Sequence, residues 1–453
     1  MSGAAGHTAD DHALGRVPQT ARYTWWSVAI QRFGQVSALS QFLLGATLGF
    51  GMSFWTAFWA FTFGAVILEV VSIFVGIIGA REGMSTSMVA RWLGFGRGGS
   101  ALIGLAIGIS LIGWFGIQSA VSAQGLASSL GGLPAWGWSI LFGLVVTAIC
   151  IFGFGSMAWT AYVTVPAFLV LVGWAIIAEL SKSDVGALMS TPPPGEPISL
   201  ATGTTLVAGG FIVGAVITPD MTRFNRTSAD VVKQTVVGFT LGEYVIGMSG
   251  VLLAHAVGSS EITTILTSSV GWVAVLVVLL GTVKINDWNL YSSGLGVVNF
   301  IGTVTGRRVN RAVTTAVIGV VGSLLAAFGI LGQLTGFLIV LGVVFPPIAG
   351  IMVAEYFVVK KWRGVLESSR ADADAVPESS PTWVPATLLV WAVASLFGYF
   401  VHVGLGSVNS LVIAFVLYVV AGRTGLLREV GTSRTTDGEV VEPAPATTTP
   451  ATA

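Results

Sequence analysis

Four polar or charged residues lie close together in a strongly apolar part of the chain: Lys284, Asn286, Asp287 and Asn289. A charge inside a membrane costs roughly 2.5 to 3.5 kcal/mol on insertion scales, so such residues usually face a protein interior or a water-filled site. A side-chain amide offers a hydrogen-bond donor and an acceptor together, and a lysine beside an aspartate can form an ion pair. This segment therefore predicts a place where a ligand or an ion binds.

The composition indicates that this segment lies in a membrane. Hydrophobic residues make up 54% of the 453 residues and charged residues only 9%, whereas a soluble domain is about 25% charged. The single cysteine, Cys150, cannot form a disulfide framework. Residues 1–22 are polar and lack the apolar core and cleavage site of a secretory signal. We expect a polytopic protein in a lipid bilayer.

Apolar runs separated by glycine, proline and charged residues predict twelve membrane helices. In chain order, helices 1 to 12 span 23–50, 55–80, 101–129, 134–154, 157–180, 199–219, 233–257, 270–299, 311–331, 333–358, 383–403 and 407–422. The predicted units are an N-terminal tail (1–22), helices 1–5 (23–180), helices 6–10 (199–358), a linker (359–382), helices 11–12 (383–427) and a disordered tail (428–453).

The positive charges predict the orientation of these helices. Of the 21 lysines and arginines, 18 fall in the two tails and in alternate connections; the other three are Lys182, on the opposite side, and Arg32 and Lys284, within helices. Positively charged loops stay in the cytoplasm. We therefore predict a multi-pass protein of the cytoplasmic membrane whose two tails and linker are cytoplasmic.

Helices 1 and 6 both carry small or helix-breaking residues near their centres. Helix 1 contains Gly34 and Ala38, and helix 6 contains Gly209 and Gly210 before Pro219. Interrupted helices in corresponding positions of two halves indicate an inverted-repeat transporter, in which unwound backbone binds substrate and ions. Glycine is also common where membrane helices pack closely. The pattern alone leaves both interpretations open.

Other classes of protein fit the sequence less well. The four histidines have no zinc-ligand spacing, and we find no nucleophile elbow and no phosphate-binding loop. The soluble segments are too short for a catalytic domain, and no polar stripe predicts a channel pore. We expect no enzyme activity, no metal, no cofactor and no nucleic-acid partner.

Several blocks of sequence occur in a fixed order over roughly three quarters of the chain. They are VPQTAR (17–22), GAREG (79–83), RWLGFG (91–96), GWFG (113–116), TPDMTRF (218–224), NDWNLYSSGLG (286–296), PPIAG (346–350) and AEY (354–356). Together they resemble the nucleobase:cation symporter family, of the purine-cytosine permease type. The resemblance implies an all-α, leucine-transporter-like fold that acts as a monomer. Helices 1–5 and 6–10 would be its inverted repeats, with helices 11 and 12 added.

The resemblance also implies a substrate site. Trp114 and Phe211 match the two aromatics between which the family stacks the substrate ring, while Gln118 and Asn286 match amides that pair with the ring edge. Stacking on aromatics contributes about 1 to 3 kcal/mol per base in nucleic-acid binders. Backbone groups near Gly210 could add further contacts. A membrane tryptophan can instead serve packing, and an amide can instead bridge two helices.

Two departures from the family pattern bear on the substrate. Cytosine permeases carry a polar side chain and a serine where this chain has Leu111 and Val213. We therefore expect a nucleobase-like heterocycle, which could be cytosine, a purine or uracil. The alternative is a sodium-coupled symporter for a hydantoin, allantoin or vitamin-like heterocycle, or an amino-acid transporter of the same fold.

A third departure bears on the coupling ion. In sodium-coupled relatives the ion lies between carbonyl groups of helix 1 and hydroxyl groups of helix 8, where this chain has Lys284. An ammonium there would repel sodium and could donate to the helix 1 carbonyls around Gly34 and Ala38. We therefore predict that H+ is the coupling ion rather than Na+. The alternative is a constant ion pair with Asp287, three residues further along the helix.

Two other carboxyl groups lie near the middle of predicted helices: Glu69 in helix 2 and Glu243 in helix 7. Burial in a medium of low dielectric constant favours the protonated form of a carboxyl group, so either residue could carry the coupled proton. A fixed ion pair with Arg32 or Lys284 is the alternative for each.

Overall fold

The computed structural model describes residues 15–36, 39–151, 167–168, 170–171, 173–307, 309–371, 375–401 and 403–434. Within these ranges the description excludes the side chains of residues 262, 266, 284, 311 and 371. Two of the predicted positions are therefore affected. Ala38 lies outside the described residues, and the side chain of Lys284 is not described.

The described residues are mainly helical. The long helices are α1 (Trp25–Val36), α2 (Leu39–Gly51), α3 (Phe54–Glu82), α4 (Gly96–Leu130), α5 (Ala135–Ile151), α6 (Leu200–Val216), α7 (Ser228–Val257), α8 (Val273–Thr305), α9 (Arg311–Ala327), α10 (Ile330–Val359), α11 (Pro385–Phe400) and α12 (Gly406–Arg423). Short helices include Val185–Ser190 and Pro219–Thr222. The first predicted segment corresponds to α1 and α2 together.

Six of these helices, α3, α4, α7, α8, α10 and α12, are long and apolar enough to cross a membrane. Five shorter ones, α2, α5, α6, α9 and α11, are also apolar. These eleven helices (6 + 5) fall in eleven of the twelve predicted segments. Much of the remaining segment, predicted helix 5, lies outside the described residues. The chain is an integral membrane protein, and the number of crossings remains a prediction.

Local sequence explains where several helices begin and end. The Ser53 side chain accepts a hydrogen bond from the Thr56 backbone N–H at the start of α3, and α3 ends at Gly83 with φ 64°. At the start of α7, Thr227 and Asp230 form a reciprocal capping box. Such caps satisfy backbone groups that have no partner inside the helix.

The structure tests the predicted interruption of helix 6 but not that of helix 1. In the first segment α1 ends at Val36 and α2 begins at Leu39, on either side of two undescribed residues. The prediction for helix 6 is wrong in position: α6 is continuous through Gly210 and ends at Val216, just before Pro219. Proline lacks the N–H that a continuing helix needs and restricts the preceding residue.

The glycines of α6 serve close packing instead. A Cβ atom at Gly209 would collide with the backbone carbonyl of Leu338 in α10, and one at Gly214 would collide with the Phe211 ring. The same holds between α2 and α7, where a Cβ at Gly45 would meet the Gly247 carbonyl and lie close to Gly250. Helices whose backbones come this close need residues without side chains.

Basic residues gather at one end of the helices, which we call the basic face. Buried Glu82 accepts hydrogen bonds there from Arg16, Arg370 and the Tyr356 hydroxyl group. Arg22 donates to the carbonyl oxygens of Val17, Ala80 and Asn225. Burial lowers the pKa of Arg16, although Glu82 opposes this effect. These contacts join the N-terminal segment to the ends of α3 and α10.

The basic face also carries a small sheet that departs from the all-α prediction. Strand β1 (Ser379–Trp383) pairs antiparallel with β2 (Val430–Arg434). The Trp92 indole N–H donates to the Ser379 carbonyl oxygen at 2.9 Å. Residues 430–434 lie in the segment predicted to be disordered, and hydrogen bonds to β1 give them an ordered partner that their own polar sequence does not indicate.

Loops meet again at the other end, which we call the opposite face. The backbone N–H groups of Gly195 and Ile198 donate to the carbonyl oxygens of Phe50 and Gly51, each at 2.7 Å. The buried His255 ring lies within hydrogen-bond distance of the Leu188 and Met52 carbonyl oxygens. The segment after the predicted helix 5 is therefore tied to the turn between α2 and α3.

Candidate functional site

Asn286 joins α8 to α4. Its amide nitrogen donates to the Phe115 carbonyl oxygen at 3.1 Å and to Ser119 Oγ at 3.0 Å. Its amide oxygen accepts from Asn289 Nδ2 at 3.3 Å, and the side chain is completely buried. In this conformation the side chain of Asn286 bridges two helices, which is the alternative that the sequence left open.

A second bridge lies one turn earlier on the same face of α8. Thr282 and Ser122 of α4 share a hydrogen bond, and the Thr282 hydroxyl also donates to the Val278 carbonyl oxygen at 2.7 Å. Residues 282, 286 and 289 follow the spacing that places side chains on one side of a helix. These bonds hold α4 and α8 together.

The structure describes the predicted cation site only in part. Lys284 lies between Thr282 and Asn286 on α8, and its role remains a prediction. Gly34 is exposed near the end of α1, with no heavy atom within 4 Å of the position that a Cβ would take. Asp287 is buried, and its backbone carbonyl oxygen lies 3.4 Å from Cys150 Sγ.

Trp114 and Gln118 occupy a different part of the α4 surface, one turn apart. Trp114 is 9% exposed, and its ring meets Phe337 of α10 edge to face, with 5.6 Å between the ring centroids. Gln118 is 3% exposed, and among the described residues its Oε1 atom accepts no hydrogen bond. A buried acceptor without a donor costs roughly 1 to 3 kcal/mol. An N–H group of a ligand could remove this cost.

A cleft of 610 Å³ begins at the next turn of α4, towards the opposite face. It is lined by Leu43 and Thr47 of α2, Val121 and Gln124 of α4, and Leu334 of α10, among others. Small-molecule sites typically measure about 300 to 1,000 Å³. The cleft is therefore large enough for a small heterocycle and adjoins the Trp114–Gln118 pair, although neither residue lines it.

Phe211 is held from the side of α7. Its ring meets Phe239 edge to face, with 5.4 Å between the centroids, and the Arg32 guanidinium carbon lies 5.3 Å from the Phe239 centroid. Arg32 also donates to the Gly214 carbonyl oxygen at 3.3 Å and to Thr218 Oγ1 at 3.0 Å. The structure thus places Gln118 beside Trp114 and packs Phe211 against a different aromatic partner.

Glu69 and Glu243, the carboxyl groups predicted to carry the coupled proton, have neutral hydrogen-bond partners. Glu243 is completely buried and accepts from the Gln41 amide of α2. Glu69 is partly buried and accepts from Thr240 Oγ1 at 3.0 Å. The predicted alternative of an ion pair with Arg32 receives no support from the contacts described for Arg32.

The sequence did not single out Gln41 or Ser119, and it gave Asn289 no role separate from that of the polar segment in which it lies. Gln41 is a lone amide in an apolar helix, so the rule that marked Asn286 would also have marked it. Ser119 and Asn289 left weaker signals, because serine is common in membrane helices and Asn289 lies beside three more conspicuous residues.

These features define a class of protein. A membrane-embedded helical bundle with an enclosed aromatic and amide pair and a cleft open to one face is typical of a transporter for small molecules.

The chain belongs to a family of permeases for cytosine/purines, uracil, thiamine and allantoin, and residues 16–373 match the family model. The cytosine permease of Escherichia coli (strain K12) is 29% identical over 350 residues, which cover 77% of this chain and 81% of that protein. The hydantoin permease of Microbacterium maritypicum is 27% identical over 431 residues, covering 88% and 84%. The family predicted from the sequence blocks is confirmed.

A solved structure supports the same fold. Mhp1, a nucleobase-cation-symport-1 family transporter, in a closed conformation with bromovinylhydantoin bound, aligns with a TM-score of 0.70 at 20% identity. The alignment covers 91% of this chain and 95% of that one. The predicted transporter fold is thereby confirmed in its general form.

Proposed function

We propose that this permease imports a nucleobase-like heterocycle, namely cytosine, a purine or uracil, by alternating access. The Trp114–Gln118 pair is the observation that carries this proposal. A flat heteroaromatic base offers a face that stacks on an aromatic side chain and an N–H group that can donate to the unpaired Gln118 oxygen. The similarity to a cytosine permease adds support.

The second candidate substrate is a hydantoin, allantoin or vitamin-like heterocycle taken up with sodium. The similarity to a hydantoin permease and to Mhp1 favours it. A hydantoin and a pyrimidine both present an N–H/C=O edge, so Gln118 suits both of them. The apolar side chains of Leu111 and Val213 favour neither, because they remove polar contacts without adding new ones.

We propose that transport is coupled to protons, because α8 offers few oxygen atoms that could coordinate a sodium ion. Sodium needs oxygen ligands, and the Thr282 hydroxyl is already bonded to Ser122 and to the Val278 carbonyl oxygen. Lys284 follows Thr282 by two residues on α8, and an ammonium group close to the proposed cation site would repel a cation. An ion pair between Lys284 and Asp287 remains the alternative arrangement.

We also propose twelve crossings and two inverted repeats of five helices. If helix n of the first repeat corresponds to helix n + 5 of the second, contact between helices 1 and 7 must be matched by contact between helices 2 and 6. Both contacts occur. Predicted helix 1, which comprises α1 and α2, packs on α7, and predicted helix 2, which is α3, packs on α6. The same correspondence exchanges predicted helices 3 and 8, which are α4 and α8, and predicted helices 4 and 9, which are α5 and α9. The helices of each of these pairs also contact one another.

One uptake experiment tests substrate and coupling together. Purified protein in liposomes is given radiolabelled cytosine, hypoxanthine, uracil and hydantoin, with sodium present or replaced by choline, and with or without an inward proton gradient. We expect saturable uptake of a nucleobase that survives the replacement of sodium and rises with the gradient. Saturable uptake of hydantoin alone would favour the second candidate, and abolished transport in choline would disprove proton coupling.

A further inference from the structure

Glu243 lies where α7 changes its helical form. Residues Glu243–Gly247 form a π turn between two α-helical stretches, and the Glu243 side chain is completely buried. One carboxyl oxygen accepts a hydrogen bond from Gln41, while the other accepts none from any described residue. π turns inside helices occur frequently at functional sites.

Among the side chains that the structure describes, which exclude that of Lys284, the groups around Glu243 supply no positive charge. The helices packed against the π turn are α2 and α3. The sequence of α2 contains no acidic or basic residue, and α3 contributes Glu69, whose charge would repel that of Glu243. On α7 itself the neighbouring Tyr244 hydroxyl bonds to Thr62 at 2.6 Å.

More distant charges do not change this situation. Lys233 and His255 are at least ten residues away along α7, about 15 Å at 1.5 Å per residue. Arg32 of α1 is engaged with the Gly214 carbonyl oxygen and Thr218. Among the described side chains an ionised Glu243 would therefore be buried without a cation, whereas a bound proton would leave a neutral group with one free oxygen to hold it.

The contact with Gln41 connects this carboxyl group to α2. Gln41 is the third residue of that helix. Gly45, one turn further, allows the α2 backbone to lie against the π turn. Close packing of α2 on α7 thus buries Glu243, and withdrawal of α2 would return it to water.

We propose that Glu243 is the proton-binding site of this permease, an assignment that rests on the proposed proton-coupled transport. The carboxylate takes a proton from hydronium on the opposite face, forming one O–H bond and becoming neutral. The neutral group favours the packed arrangement of α2 and α7. Release of the proton to water on the basic face restores the charge and favours separation of the two helices.

Infrared spectroscopy tests the proton site independently of the substrate. Difference spectra of the purified full-length protein between acidic and alkaline pH should contain a band from a protonated carboxyl group. We expect the band to disappear in Glu243→Gln and to remain in Glu69→Gln. It should also remain in Glu179→Gln, which removes a buried carboxylate that already has a cation, Lys182, at 2.8 Å. A band that persists in Glu243→Gln would overturn the assignment.

Transport tests the coupling role. The measured quantity is the ratio of radiolabelled cytosine and hypoxanthine uptake with and without a one-unit inward pH gradient, which allows up to about tenfold accumulation for one proton per substrate. We expect this ratio to fall to about one in Glu243→Gln and to stay at the wild-type value in Glu179→Gln. An unchanged ratio in Glu243→Gln would overturn the role.

A second variant covers the case in which Glu243→Gln does not fold. Gln41→Leu removes the donor that stabilises the charged carboxylate, so half-maximal uptake should shift to higher pH. No shift would contradict the proposal. If wild-type protein shows no gradient-driven uptake but retains the Glu243 infrared band, the proposed function fails while the site still binds a proton.

Discussion

At the scale of residues, two amides expected to share a task differ in their surroundings. Asn286 has three hydrogen-bond contacts to α4 and to its own helix, whereas the Gln118 oxygen has none among the described residues. The sequence predicted both positions but not this difference. One partner of Asn286 is the backbone carbonyl group of Phe115, and backbone groups leave no signal in a sequence.

The difference predicts unequal roles in substrate binding. Replacing Gln118 by alanine removes one hydrogen bond to the substrate, worth about 0.5 to 1.5 kcal/mol, and should raise KM for the transported base by up to about tenfold. Concentration-dependent uptake in liposomes measures this change. Gln31→Ala, which alters an exposed glutamine on α1, is the matched control. Equal KM values in the two variants would contradict a role for Gln118.

At the scale of helices, apolar runs separated by glycine, proline and charged residues located most of the helical segments. The structural role of each glycine was harder to predict. The predicted interruption of the first segment lies at residues outside the description, whereas Gly209 and Gly210 lie within an unbroken α6. A glycine that breaks a helix and a glycine that admits a neighbouring helix have the same local sequence. Only the partner, here Leu338 of α10, distinguishes them.

Gly45 provides a test of this packing. In Gly45→Val the new side chain would collide with the Gly247 carbonyl group, and overpacking of this kind typically costs about 1 to 3 kcal/mol. We expect a lower melting temperature in detergent. Fluorescence-detected size-exclusion chromatography of heated samples measures this temperature. Gly364→Val is the control, because no heavy atom lies within 4 Å of its Cβ position. Equal losses in the two variants would count against close packing at Gly45.

At the scale of the whole molecule, the positive charges that predicted the orientation gather on one face. The N-terminal segment, the ends of α3 and α10 and the linker meet there around Glu82. Charge counting anticipated that these segments share a side of the membrane. It could not anticipate the contacts between them, because Arg16 and Arg370 are far apart in sequence and neither lies in a periodic pattern.

The orientation can be tested by cysteine labelling. Replacing buried Cys150 by alanine leaves no native thiol, so single cysteines can then be introduced at exposed positions of either face. We expect a membrane-impermeant maleimide to label Leu133→Cys in intact cells and Ser368→Cys only after the cells are opened, because the positive charges predict that the basic face is cytoplasmic. The reverse pattern would show that the predicted orientation is inverted.

The small sheet on the basic face also determines how mechanical load enters the protein. β1 precedes α11 and β2 follows α12, so the two strands fasten the base of this helical pair. A force applied beyond Arg434 acts first on its pairing with Ser379, and the strand pairs must open in sequence before tension reaches α12. We therefore expect the paired strands to resist a force on residues after Arg434 and to limit its transmission to α12.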